Sequence, residues 1–324
     1  MQLTWNELAR RAMSTVASIR CTSPAVLVES RRALLWSSLC AVSGLQVMPT
    51  LTSKLGFSFT PGGLLFPYHL GVAKCLQREG FLAHDTPIAG ASAGALVAAI
   101  VGCGMDMDTA STLTGKVFHE CREGGAAFKL MGIVRQGLED ALPCDAHDVL
   151  NRREGKVTIG VTHVFPRPTG VFIDEFTSRE DLIEVLLGSC HVPFWFSSRP
   201  YMQVRGQAAF DGFFATPYKY VGAPPVAGAE EVVRVTAFPT TSVKIYSQGP
   251  GDVISPDLLD RRVRETAYAS GRFLELLNYA FNPADEDVRM ELFDAGMESG
   301  SVWCTRFGED YRRRHRERCG RGLG

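Results

Sequence analysis

The sequence predicts an α/β protein with a mainly parallel central sheet covered by helices on both faces. Two observations lead to this prediction. Short apolar strands alternate with helices along most of the chain, and small residues form tight turns where two of the strands pass into helices. The 324 residues, 45% of them hydrophobic, are sufficient to build a substantial core.

The first predicted elements surround a glycine turn. Leu55–Thr60 alternates like a strand, residues 61–63 form a Pro-Gly-Gly turn, and residues 65–80 carry apolar side chains at helical spacing. A second strand is predicted at Pro87–Gly90. After Ser92 it is followed by residues 94–100, which strongly favour a helix. Further strands are predicted at 157–164, 170–174, about 208–210 and 232–238, and further helices at 106–121, 145–152, 178–189 and 257–281.

Charge and cysteine usage exclude several classes of protein. The 34 basic and 35 acidic side chains leave a net charge of −1, which disfavours general nucleic-acid binding. The nine cysteines are scattered and contain no C-x-x-C pair, which favours buried thiols in a reducing compartment. No set of His, Cys, Asp and Glu has the spacing of metal ligands, so we expect neither a metal nor another cofactor.

Residues 1–54 form an N-terminal extension of different composition. They contain five arginines, many serines and only two acidic residues, Glu7 and Glu29, which is typical of a transit peptide. We therefore expect location in a chloroplast or another organelle, the alternative being a cytoplasmic, membrane-peripheral protein. The uncharged run Ala33–Ser53 has the length of a membrane helix but contains many polar residues. A structured extension packed on the domain is a further alternative.

The segment Gly90-Ala-Ser-Ala-Gly94 predicts a nucleophile elbow. G-x-S-x-G between a strand and a helix lets the chain turn so sharply that the serine stands clear of the sheet. The following helix directs its N-terminus towards Ser92, where partial positive charge stabilises developing negative charge. A strand–helix turn without chemistry could have the same residues, but the flanking elements favour the elbow.

A second glycine-rich turn, at Phe59–Leu64, lies at another junction of strand and helix. Its consecutive glycines, Gly62 and Gly63, could direct backbone N–H groups at an oxyanion, which acyl transfer requires. Such groups could also bind a phosphate. However, the P-loop pattern and a neighbouring lysine are both missing from the turn. A plain turn is the third alternative.

The histidines indicate how Ser92 would be activated. An α/β-hydrolase triad needs an acid and then a histidine after the serine. Only His315 follows the candidate acid Asp211, and it lies in an arginine-rich tail. We therefore expect Asp211, at a predicted strand end, to act as the general base itself. An Asp-Gly pair is also common in simple turns.

Taken together, the ordered motifs resemble the patatin-like phospholipase family. Gly62-Gly63, Gly90–Gly94 and Asp211-Gly212 carry this resemblance. Three further stretches resemble the adiponutrin-like branch of this family: Tyr68–Leu76, Ser178–Leu182 and Leu187–Phe194. The similarity covers roughly residues 55–300, which we take as one patatin-like domain followed by a basic tail, 301–324.

The resemblance implies a three-layer α/β/α fold and hydrolysis of fatty-acyl esters of phospholipids, galactolipids or acylglycerols. It places a two-residue catalytic dyad at Ser92 and Asp211 and requires no cofactor. The family's first loop glycine is replaced by Pro61, which has no N–H. The oxyanion donors implied are therefore the N–H groups of Gly62, Gly63 and Leu64.

Other interpretations remain open. The chain could be an acyl transferase. It could also be a catalytically weak lipid-binding member, because Pro61 and Phe66 stand where the family's loop has its first and last glycines. The partner expected is a lipid at a membrane periphery or lipid-droplet surface. The aromatic residues of His191–Phe196 lie either at a substrate rim or in the core. Six arginines within residues 311–324 either contact anionic headgroups or are solvated.

Overall fold

The computed structural model describes residues 55–259 and 273–314, which form a sheet with helices packed on it. The strands are β1 Leu55–Phe59, β2 Ile88–Ala91, β3 Val157–His163, β4 Thr169–Ile173, β5 Met202–Val204, β6 Gln207–Phe210, β7 Glu231–Val235 and β8 Val253–Ile254. The α-helices are α1 Phe66–Arg78, α2 Ala93–Gly102, α3 Met107–Gly124, α4 Leu130–Ala141, α5 Ala146–Arg152, α6 Arg179–Ser189, α7 Thr240–Val243, α8 Phe273–Phe281 and α9 Glu286–Trp303.

The eight-stranded sheet has the order β5-β6-β3-β2-β1-β7-β8, with β4 paired to β3 outside this path. Four neighbouring pairs are parallel: β3–β2, β2–β1, β1–β7 and β7–β8. The pairs β3–β4, β3–β6 and β5–β6 are antiparallel. The central strands β1, β2 and β3 are buried almost throughout, as expected for a parallel sheet covered on both faces. The predicted α/β fold with a mainly parallel sheet is confirmed.

Two helices near the active-site end of the sheet pack through glycines. A Cβ on Gly71 of α1 would lie 2.0 Å from the carbonyl oxygen of Phe293 in α9. A Cβ on Gly296 would lie 2.1 Å from the carbonyl oxygen of Tyr68. Because side chains are missing at both points, the backbones of α1 and α9 approach more closely than larger residues would allow.

Several elements differ from the sequence-based predictions. The predicted strand at 232–238 ends at Val235, and the predicted helix at 257–281 is a 3-10 turn at Pro256–Leu258 and then α8. Its middle, residues 260–272, lies outside the described residues, as do the predictions for residues 1–54 and 315–324. Five of these helices and strands were not predicted from the sequence: α4, α7, α9, β5 and β8.

None of the helices in the described part of the chain combines the length and apolarity needed to cross a membrane. The helical path of α9 continues through a π-helical turn, Cys304–Gly308, into residues 309–314.

Candidate active site

The strand register brings Ser92 and Asp211 to the same place on β3. Strand β2 runs parallel to β3 and ends with Ala91 opposite Gly160. Strand β6 is antiparallel to β3 and ends with Phe210 opposite Thr162. Strands β2 and β6 therefore end at nearly the same level of β3. Ser92 follows β2 and Asp211 follows β6, so both residues lie at this level.

Ser92 has the backbone conformation of a sharp turn. Its φ of 53° and ψ of −125° are rare for a residue with a side chain, and such strain is typical of functional positions. The two flanking glycines are required by space: a Cβ on Gly90 would lie 2.0 Å from the carbonyl oxygen of Gly94, and one on Gly94 would lie 2.2 Å from that of Phe59. The elbow therefore needs both glycines.

A neighbouring serine fixes the elbow from the other side. The hydroxyl of Ser189, at the end of α6, accepts a hydrogen bond of 2.8 Å from the N–H of Ser92. It donates one of 2.7 Å to the carbonyl oxygen of Gly160. Ser189 therefore ties the turn to β3 and stabilises the strained backbone of Ser92.

Asp211 is buried and hydrogen-bonded on both its main chain and its side chain. Its N–H donates to the carbonyl oxygen of His191 at 2.9 Å, and its own carbonyl oxygen accepts from Thr162 Oγ1 at 2.8 Å. The carboxylate accepts a 2.8 Å hydrogen bond from the N–H of Phe213, and the hydroxyl of Ser92 is near enough to lower the pKa of the carboxyl group. The side chain is thus held in place beside the candidate nucleophile.

Burial raises the pKa of Asp211 to about 6, while the hydrogen bonds from Phe213 and Ser92 lower it. An ordinary aspartate has a pKa of 3.8. Asp211 is therefore a stronger base than an exposed aspartate and is still ionised at neutral pH, which suits it to accept the proton of a hydroxyl.

The Gly62–Leu64 loop presents free N–H groups beside the elbow. Gly63 and Leu64 begin a short 3-10 helix, and the first N–H groups of a helix have no acceptor within it. Gly63 has a φ of 55°, and a Cβ there would lie 2.2 Å from the carbonyl oxygen of Ala280. Only glycine therefore fits at this position. Leu64 and Gly63 share one cavity with Ser92.

Three residues near Ser92 were missed by sequence reasoning. The N–H of Ala93 is the first of α2 and lies directly after Ser92, where a nucleophile elbow places an oxyanion donor. Ser189 supports the elbow, as described above. The buried thiol of Cys190 lines the same cavity as Ser92, and burial raises its pKa. The stretch Leu187–Phe194 carried the family resemblance, but nothing in its sequence indicated these contacts.

The buried histidines are neutral and lie outside this constellation. Burial lowers the pKa of His69 to about 3 and that of His191 to about 4. His69 packs edge-on against Phe59 beneath the loop, and its Cε1 would lie 3.2 Å from a Cβ on Gly62. His191 Nε2 is bonded to the carbonyl oxygen of Arg199 at 3.0 Å.

The predicted aromatic rim is divided between surface and core. Phe194 and Trp195 are 46% and 42% exposed, whereas Phe196 is 3% exposed. Phe128, which is 60% exposed, adjoins them because its N–H donates to the carbonyl oxygen of Trp195 at 2.9 Å. Across residues 55–259 and 273–314, no group of three or more His, Cys, Asp or Glu side chains is arranged to hold a metal ion.

Comparison with known proteins defines the class. A family model described as Patatin-like phospholipase matches residues 58–221, half of the chain. The chain is 29% identical over 252 residues to human patatin-like phospholipase domain-containing protein 4, covering 75% of this chain and 94% of that protein. It belongs to the patatin-like phospholipase family, and its resemblance to the adiponutrin-like branch is confirmed.

Two further proteins are similar over different extents. Mouse omega-hydroxyceramide transacylase is 31% identical over 166 residues, which cover 49% of this chain and 27% of that protein. The crystal structure of VipD from Legionella pneumophila is 13% identical with a TM-score of 0.44, covering 79% of this chain and 67% of that chain. The similar proteins therefore include a patatin-like phospholipase domain-containing protein and a transacylase.

Proposed function

We propose that this protein hydrolyses fatty-acyl esters of phospholipids, galactolipids or acylglycerols, with Ser92 as nucleophile and Asp211 as general base. One observation carries the proposal. Ser92 lies beside the buried carboxylate of Asp211, whose pKa is raised to about 6, and it lines an apolar cavity. A nucleophile in contact with a base of suitable pKa is the arrangement that covalent catalysis requires.

In the first half of the reaction, Ser92 Oγ attacks the ester carbonyl carbon and its proton passes to Asp211. The carbonyl oxygen becomes an oxyanion, which the N–H groups of Gly63, Leu64 and Ala93 stabilise, with that of Gly62 beside them. The bond to the alcohol oxygen then breaks. Asp211 returns the proton to this oxygen, so the alcohol leaves neutral and the acyl group remains on Ser92.

In the second half, water takes the place of the alcohol. Asp211 accepts a proton from water as the water oxygen attacks the acyl carbonyl. Collapse of the second oxyanion breaks the bond to Ser92 Oγ, which regains the proton, and the fatty acid leaves. If another alcohol attacks instead of water, the same acyl-enzyme gives transfer, as the name of the mouse transacylase states for that protein.

The exposed aromatic side chains support contact with a lipid surface. Phe128 and Phe194 have φ values of 63° and 58°, which are outliers for bulky residues and hold these side chains on the surface. Phe196, two residues after Phe194, belongs to the same buried apolar cluster as Leu64 of the loop and lines the cavity. The rim formed by Phe128, Phe194 and Trp195 would therefore bring the cavity mouth to the surface of a membrane or lipid droplet.

A vesicle assay tests this contact. Trp195→Glu should reduce sedimentation with phosphatidylcholine vesicles and slow hydrolysis of vesicle lipid, because it places a charge in an apolar rim. Hydrolysis of a monomeric short-chain ester should be unaffected. Exposed Leu274→Glu, at the start of α8, is the matched control. Equal vesicle binding by the wild type and Trp195→Glu would exclude the rim as the contact surface.

The nucleophile itself is tested with a fluorophosphonate probe and an ester substrate. Wild-type protein should be labelled at Ser92, and Ser92→Ala should lose both labelling and hydrolysis. Exposed Ser301→Ala should retain both. A folded wild-type protein that neither takes the label nor releases fatty acid would instead be a non-catalytic lipid-binding member of the family. Released fatty acid, measured against acyl transfer to an added alcohol, separates hydrolase from transferase.

A further inference from the structure

An apolar cavity is lined by Ser92 and by residues of helices α2, α3 and α4. The space between its walls, open solvent at its edge included, is about 840 Å³. Its walls beyond Ser92 include Leu96 and Ile100 of α2, Leu113 of α3 and Leu138 of α4.

The cavity runs away from the nucleophile along these helices. Ser92 caps α2, and Leu96 and Ile100 face the cavity one and two turns later, so the wall extends about 12 Å along this helix. On α4 the lining residues run from Leu130 to Ala141, which corresponds to about 16 Å. Leu130 and Leu64 of the loop belong to one buried apolar cluster and both line the cavity, so the α4 wall begins near the loop.

The chemistry of the walls suits a hydrocarbon chain. None of the side chains described as lining the cavity carries a charge. The hydroxyl of Thr114 donates to the carbonyl oxygen of Ala110 at 2.7 Å, which satisfies it within α3. A hydrocarbon core of about 30 Å contains two layers of acyl chains, so one chain is about 15 Å long. The length of the α4 wall therefore matches one long acyl chain.

Gly137 marks a narrow point on this path. It lies on α4 about two turns beyond Leu130, and a Cβ there would lie 3.1 Å from Val117 Cγ2 on α3. A larger side chain at 137 would therefore project into the space between the two helices. Gly132 of the same helix is exposed and has open space around it.

We propose that the cavity binds the fatty-acyl chain of the ester that Ser92 attacks, and that Gly137 keeps it open for long chains. This inference rests on the proposed function, and it identifies the acyl chain as the part of the substrate that the protein interior selects. The alcohol half of the ester, with any headgroup, stays at the mouth beside Phe196 and Leu64. The protein then selects the length of the acyl chain inside the cavity. It can distinguish headgroups only at the rim of the cavity.

The test compares Gly137→Leu with Gly132→Leu. Both remove a helix-interior glycine, so both gain similar helix propensity. Gly137→Leu should lower the ratio of kcat/KM for p-nitrophenyl palmitate to that for the butyrate ester at least tenfold, whereas Gly132→Leu should leave it unchanged. Ala141→Leu, at the last lining position of α4, should lower the ratio for palmitate while sparing octanoate. Unchanged ratios in folded Gly137→Leu and Ala141→Leu would overturn the inference.

A binding measurement keeps this test independent of turnover. Ser92→Ala protein should bind the fluorescent fatty acid cis-parinaric acid, and adding Gly137→Leu should weaken binding at least tenfold, whereas adding Gly132→Leu should not. If the wild type hydrolyses no ester but Gly137→Leu still weakens fatty-acid binding, the proposed function fails and the cavity assignment stands. If hydrolysis occurs but neither chain-length ratio nor binding responds to Gly137→Leu, only the cavity assignment fails.

Discussion

Replacing Asp211 by asparagine should abolish catalysis and stabilise the fold. The pKa of Asp211 is raised by burial to about 6, against 3.8 for an ordinary aspartate. Because one pH unit corresponds to about 1.4 kcal/mol, holding ionised Asp211 in the fold costs about 3 kcal/mol at neutral pH. Asparagine avoids this cost, and its Oδ1 can still accept the hydrogen bond from Phe213. It cannot accept the proton of Ser92, however.

The sign of the pH dependence follows from proton binding. Below pH 3.8 the carboxyl is protonated in the folded and the unfolded wild type. There it does not make the free energy of unfolding depend on pH. Between pH 3.8 and about 6 the unfolded chain loses the proton while the folded protein keeps it. The wild type therefore loses stability as pH rises through this window, and Asp211→Asn does not lose it.

The assay is urea-induced unfolding of wild type and Asp211→Asn at pH 4 and pH 8. The free energy of unfolding of Asp211→Asn relative to wild type should rise by about 2.4 kcal/mol from pH 4 to pH 8. Differences between the two proteins cancel the titration of groups that they share. A relative stability that is equal at both pH values, or an asparagine variant with most of the wild-type kcat, would refute the assignment of a buried, ionising base.

Two more predictions concern titration. The kcat/KM for a short-chain ester should fall as pH decreases, with a midpoint near 6, since protonated Asp211 cannot accept a proton; a pH-independent rate from 5 to 8 would exclude this base. His69→Phe should reduce acid destabilisation, because His69, with a pKa lowered to about 3, stays neutral in the fold while the unfolded chain is protonated below pH 6.5. The free energy of unfolding of the wild type should fall by about 3 kcal/mol between pH 6.5 and 4.5 because of His69. Unfolding titrations of the wild type and His69→Phe measure this loss.

The sequence was sufficient to indicate Ser92 and Asp211 as a candidate dyad, but not the strand pairing that brings them together. The G-x-S-x-G pattern indicated Ser92 because its glycines are required by local space, as the close approach at Gly94 shows. The position of Asp211 depends on β6 pairing with β3 beyond the end of β2. Such pairing joins segments far apart in the chain, and local patterns do not encode it.

The same limit explains the missed supports of the site. Ser189 lies 97 residues from Ser92, and a serine near a helix end has many local uses in any sequence. Helix α4 was missed because Gly132 and Gly137 weaken its helical signal, and one of them lines the cavity. Helix α9 has a clear N-cap, Asp285, whose side chain accepts from the N–H of Val288. Its packing on α1 depends on long-range glycine contacts.

The two departures that suggested a weak or non-catalytic family member change the walls of the site more than its donors. Pro61 precedes the N–H groups of Gly62, Gly63 and Leu64, so its missing N–H leaves these three groups in place. Its ring instead lies 2.7 Å from the position of a Cβ on Gly222, in a contact that only a glycine partner permits. Phe66 is almost fully buried and lines the cavity, where a larger apolar surface favours an acyl chain. Neither departure therefore removes an N–H donor that the proposed hydrolysis needs.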